Sequence, residues 1–133
     1  MTPFHQVDVL HNGRIVRVRR SERRFENAHE LSQERLLLAE KLNGIGRAGR
    51  GLLIDSRVAP SSTDDQMQEE FRRFRLEVSR GFERVATLVR TKVAILQVNR
   101  LCADQTVTVH PFNDEPTAIT YLLGEMPDTG GVL

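Results

Sequence analysis

GLLIDSRVAPSSTDDQMQEEFRRFRLEVSRGFERVATLV, residues Gly51–Val89, is the stretch whose reading decides the fold. Its ends are short apolar runs, Leu52-Leu53-Ile54 and Val85-Ala86-Thr87-Leu88-Val89. Such runs suit strands covered on both faces, as in a parallel sheet. Between them Met67, Phe71, Phe74, Val78 and Phe82 recur at steps of four, three, four and four, while Glu69, Glu70, Arg72, Arg73, Glu77 and Arg80 take the other positions. That spacing is one face of a helix. At about 1.5–3 kcal/mol per buried side chain, the stripe contributes on the order of 10 kcal/mol, which is comparable with the net stability of a whole domain. The stripe is therefore core, and strand–helix–strand reads as a parallel crossover unit. Thr63 is the expected N-cap, with Gln66 three residues on and Asp64 and Asp65 in a first turn whose dipole favours negative charge.

Upstream, Phe4–Leu10 alternates so that Val7 and Val9 face the core. His11-Asn12-Gly13 carries the Asn-Gly hairpin signal, and Arg14–Arg20 resumes as a second, antiparallel strand. Asn27, with Glu30 three residues later, opens a helix with Leu31, Leu38 and Leu42 on one face and Leu37 beside them. Gly44 and Gly46 end it. The glycines from Gly44 to Gly51 precede a strand and lack a Gly-Lys-Ser/Thr ending, so they read as a turn and not a phosphate loop. Downstream, Thr91 caps a third helix carrying Val93, Leu96, Val98 and Leu101, and Thr106–Phe112 is a fifth strand. Asn113 or Asp114 starts a last helix through Ala118, Ile119, Leu122 and Leu123, which Gly124 stops. The predicted order is ββαβαβαβα: an α/β domain over residues 1–125, with a mixed, mostly parallel five-stranded sheet and about four helices, and a frayed tail over 126–133.

Composition narrows the function classes. The chain has 133 residues, 39% hydrophobic and 28% charged, with 19 basic against 18 acidic side chains. That balance argues against a dedicated nucleic-acid binder. So does the shortage of stacking aromatics, since Tyr121 is the sole tyrosine and tryptophan is absent. Cys102 is the single cysteine, which suits a reducing compartment, and the expected location is cytoplasmic. Met1–Leu10 lacks the apolar run of a signal peptide, and no stretch approaches the roughly 18 apolar residues of a membrane span.

The strand Gly51–Asp55, the amphipathic helix from Asp64 to Phe82, and Arg84–Thr91 with Leu96-Gln97-Val98 behind it resemble the STAS domain and the SpoIIAA-like family of small bacterial proteins. The resemblance covers about Val7 to Leu123 and implies a non-enzymatic regulatory or scaffolding module that binds partner proteins in signalling. In the best-known members a serine in an Asp-Ser-Gly context, at the start of the helix after the third strand, is phosphorylated. Here the equivalent stretch is Ser61-Ser62-Thr63-Asp64-Asp65-Gln66, with no Ser-Gly pair. Asp64 and Asp65 are then either ordinary first-turn acids or a permanently anionic switch position, and Ser61, Ser62 and Thr63 are the candidates for modification. This loop and the polar face of its helix form the expected partner surface.

Three further groups are weighed on chemistry alone. Asp55 stands at the carboxyl end of a buried strand, where open α/β sheets place ligand sites, and Ser56, Arg57, Thr91 and Lys92 share that edge. They form either a polar pocket or a local Asp55–Arg57 pair. Arg14, Arg17, Arg19 and Arg20, followed by Arg23 and Arg24, are the densest charge in the chain. Arg17 and Arg19 alternate on an outer strand face, where they protect an edge or dock an acidic partner. His5, His11, His29 and His110 lack metal-pair spacing, and Cys102 reads as a small buried hydrophobe, so neither metal nor cofactor is expected. An exposed hairpin edge leaves a homodimer open. The rival to the partner-binding module is a carrier or sensor for a small ligand (lipid, nucleotide or anion). It requires a cavity, whereas the aromatic stripe predicts a filled core.

Overall fold

The computed structural model describes residues 2–60, 64–91 and 109–125. Strands β1 (His5–Leu10), β2 (Ile15–Arg20), β3 (Gly51–Asp55), β4 (Arg84–Leu88) and β5 (Val109–Phe112) form one five-stranded sheet in the order β1-β2-β3-β4-β5. β1 pairs antiparallel with β2, and all other pairs are parallel. The helices are α1 (Ala28–Ile45), α2 (Asp65–Ser79) and α3 (Glu115–Leu122). The α/β class and the mixed sheet are as expected. Three helices stand among the described residues, where about four were expected for the chain, and the described run reads ββαβαββα. The helix expected after Thr91, together with Cys102, Thr106 and the tail, lies outside the described residues.

Strand order explains the layers. Each parallel crossover moves one strand over in the same direction, and right-handed crossovers then place their helices on the same face. Val16, Val18, Leu52, Val85 and Val109 accordingly meet Leu31, Leu38 and Leu42 of α1 and Met67, Phe74 and Val78 of α2 in one core. On the other face Ile15, Leu53, Ala86, Leu88 and Phe112 meet Ala118, Tyr121 and Leu122 of α3. Leu52 and Leu53 are both fully buried, on opposite faces. The continuous apolar run in β3 is thus a strand covered twice. Gly51 lets α3 come close, since a Cβ there would stand 3.1 Å from Leu122 Cβ.

Local details shift several expectations. Asp64, not Thr63, caps α2, its carboxylate accepting from Met67 N at 3.0 Å. The helix stops at Ser79, and Gly81 at φ +85° turns the chain, so Phe82 reaches the core from a loop. Asn27 caps α1 by accepting from Glu30 N. Glu30 reaches back one residue further than a capping box requires, to Glu26 N at 2.8 Å. Asp114 caps α3, accepting from Thr117 N at 2.9 Å. The hairpin loop holds His11, Asn12 and Gly13 at positive φ. Val9 is 49% exposed and Leu37 64% exposed, contrary to expectation. β1 is the sheet edge, and Val9 lies at its hairpin end. Leu37 falls on the outer side of α1, one residue off the stripe that Leu31, Leu38 and Leu42 follow.

Candidate ligand cavity at the carboxyl ends of the strands

β2 has a side-chain period of two, and this period divides its arginines. Arg17 and Arg19 point to the α3 face, and Arg20 follows Val16 and Val18 to the α1/α2 face. The expected patch of Arg14, Arg17, Arg19 and Arg20 is therefore not one surface. Arg14 Nη2 donates to Leu123 O at 3.0 Å. Arg17 pairs with Asp8 at 3.1 Å and Glu115 at 3.4 Å, and Arg19 pairs with Asp8 at 3.1 Å. Arg20 is only 7% exposed. Its Nη1 donates to Ser21 O at 2.7 Å, and its guanidinium lies 4.6 Å from the Phe25 ring centroid. Burial lowers the Arg20 pKa to about 10; Glu34 opposes that shift and Arg23 adds to it.

Arg20 opens on a cavity of about 190 Å³ between the sheet and the helices. His5, Arg20, Ser56 and Val89 line it from the carboxyl ends of β2, β3 and β4 and the edge strand beside them; Phe71, Phe74 and Arg75 line it from α2. Below this row, Ile54, Thr87 and Val109 close the floor, with Leu31 of α1 and with Phe25, Ala59 and Pro60 from the loops. Open α/β sheets hold ligands at this end of their strands. The rings pack as walls: Phe4 on Phe25 at 4.0 Å, Phe25 edge-on to Phe71 at 6.2 Å, and His5 on Phe74 at 5.2 Å between centroids. Phe74 belongs to the core and also lines the cavity, and Phe71 packs against that core and lines the cavity beside it, so the expectation of a completely filled core is corrected.

Asp55 and Arg57 form a local bidentate pair, Nε to Oδ1 at 2.9 Å and Nη2 to Oδ2 at 2.8 Å. Burial pushes the Asp55 carboxyl up, but the Arg57 hydrogen bonds and charge, with Arg17 beyond, outweigh it and hold the pKa below the ordinary range. A shallow surface cleft runs past this pair, lined by Gln6, Arg19, Arg20, Ser21, Asp55, Arg57 and Val58. Thr91 follows β4 just past the carboxyl end of that strand. Lys92, Ser61, Ser62 and Thr63 lie outside the described residues. Asp65 is exposed in the first turn of α2. Among the described residues no group of three or more His, Cys, Asp or Glu side chains could hold a metal ion, and no helix is long and apolar enough to cross a membrane.

No family model and no curated protein matches the sequence. A solved structure does match: a protein of the DUF3478 family with a SpoIIAA-like fold from Shewanella loihica PV-4. It superposes with a TM-score of 0.65 over 92% of this chain and 98% of that one, at 15% sequence identity. The fold is SpoIIAA-like. That protein is described as uncharacterized, and the likeness carries architecture and no activity. Within the SpoIIAA-like frame, sequence reading named Asp55 and Ser56, which lie at the end of the sheet where the cavity stands. It missed Arg20, Phe25 and Arg75 as a set. The signal for Arg20 was its parity with Val16 and Val18 on β2; nothing local marked Phe25 or Arg75.

Proposed function

We propose that this chain is a non-enzymatic regulatory module of the STAS type whose signal is a small molecule held in the cavity at the strand ends. The observation that carries the reading is the cavity itself, apolar in most of its wall and bordered by the buried Arg20. Small-molecule sites have this character: concave, mostly apolar, with a few polar groups that orient the ligand. The SpoIIAA-like fold supports the regulatory class.

The arrangement of the lining argues against catalysis there. His5 and Ser56 are the nearest approach to a base and a nucleophile, but Arg20 stands between them in the sheet. Two strand spacings set their backbones about 9–10 Å apart, and among the described residues no hydrogen bond joins their side chains. His5 Nδ1 is engaged with Glu34.

Partner binding is a second layer of the same reading. α2 supplies the cavity wall through Phe71, Phe74 and Arg75 and turns Glu69, Arg72 and Arg73 to solvent. Ligand in the cavity would thus be felt on the helix whose outer face, with Asp64 and Asp65 at its start, is the proposed contact surface. Native mass spectrometry of the protein from its own host tests the first layer. The expected result is a stoichiometric small molecule, lost on Ala59→Leu. A clean apo mass, together with unchanged melting in the presence of small apolar probes, would overturn it.

A further inference from the structure

The cavity is electrically one-sided. Its described lining includes the basic residues Arg20 and Arg75 and the side chain of His5, and it includes no acidic residue. Two acids stand outside the lining: Glu34 bonds the lining residue His5 and its charge also bears on Arg20, and Glu70 pairs with Arg35 Nε at 2.9 Å. Arg75 Nε is shielded from solvent and meets no acceptor among the described residues. A buried N–H without an acceptor is a rarity that calls for a reason. A guanidinium bordering an apolar space is a fork suited to the two oxygens of a carboxylate.

Size and walls limit the rest of the ligand. A cavity of roughly 150 Å³ lined by apolar side chains accommodates benzene, and the space here is about 190 Å³. That leaves room for one ring, or a branched chain of similar bulk, and one small polar group. Phe25, Phe71 and Phe74 line it, with Phe25 edge-on to Phe71 and His5 stacked on Phe74.

We propose that the cavity binds a small apolar monocarboxylate, its body among Phe25, Phe71 and Phe74 and its carboxylate on the guanidiniums of Arg20 and Arg75. This specificity rests on reading the cavity as the functional site. Neutral molecules of the same shape fill the space but leave the guanidiniums unanswered, and cations are repelled by them.

The test is calorimetric titration of the full chain with phenylacetate, phenylacetamide, phenethylamine and toluene, repeated on Arg75→Gln and Arg20→Met. Phenylacetate is expected to bind one to one and at least tenfold more tightly than the amide, with no binding of the amine. Each variant should bring the acid down to the level of the amide; circular dichroism and melting show which variants are folded, and either one suffices. Equal affinity for acid and amide, or an acid-to-amide ratio unchanged in a folded variant, would overturn the charge specificity while leaving the cavity reading intact. Failure of all four probes would overturn both.

Discussion

The two faces of the sheet treat charge in opposite ways. On the α3 face Asp8, Arg17, Glu115, Arg57 and Asp55 form a continuous chain of ion pairs, with separations of 3.1, 3.4, 3.8 and 2.8 Å. The chain ties the edge strand, β2, α3 and the end of β3 together, on the face where Ile15, Leu53, Ala86 and Leu88 are fully buried. On the α1/α2 face Arg20 and Arg75 border an apolar cavity with no acid in its described lining. The same short strand supplies Arg17 to one arrangement and Arg20 to the other. A charge matched inside the fold is structural; the guanidinium buried beside an apolar cavity is the one we assign to a ligand.

That contrast can be broken at several points. Leu53→Ala removes a fully buried side chain from the closed face. It should lower stability by about 2–5 kcal/mol in denaturant unfolding, because a closed layer collapses poorly around a void. Ala86→Leu adds bulk to the same closed layer and should cost about 1–3 kcal/mol. Ala59→Leu adds the same bulk on the cavity side, where there is room, and should change stability by less than about 0.5 kcal/mol. Equal losses for these two variants would erase the distinction between a closed and an open face.

Asp55→Asn breaks the bidentate pair with Arg57 and should cost about 1–2 kcal/mol at neutral pH. The sign of its pH dependence follows from the lowered pKa. Stability from the ionised carboxylate is fully present above the ordinary aspartate value of about 3.9, and it is lost as pH falls through the lower folded value. The acid limb of a melting-temperature profile should therefore be steeper for the wild type than for Asp55→Asn. Arg20→Met should stay within about 1 kcal/mol of wild type, because relief of the buried guanidinium's desolvation offsets its lost hydrogen bond to Ser21 O. A loss as large as that of Leu53→Ala would make Arg20 a structural residue and remove the contrast between the faces.

Much of the fold was legible in local pattern. The helical spacing of Met67, Phe71, Phe74 and Val78, the apolar run Leu52–Ile54, the Asn12-Gly13 turn and the Asn27 cap each state a short-range preference that survives folding. Boundaries were less legible. The α2 cap moved from Thr63 to Asp64, because either oxygen can serve and only the backbone path decides which one faces Met67 N. Of the candidate site, Asp55 and Ser56 were foreseen at the strand ends, and Asp55 proved to be held by Arg57. The arginine cluster read as one patch because neighbours in sequence were counted without assigning every member to a face of the strand.

By itself the sequence determined the α/β class, the doubly covered third strand and the amphipathic second helix, since these rest on spacing and on burial of a stripe too apolar to leave in water. Tertiary structure alone decided which arginine is neutralised and which is left beside the cavity, and that Phe71 and Phe74 line it. Those outcomes depend on residues far apart in the chain: Glu115 reaching Arg17, Phe25 lying over Arg20, and α2 presenting Arg75 to the ends of β2, β3 and β4. No local preference encodes such meetings; the order of the strands and the side of the sheet each helix takes bring them about.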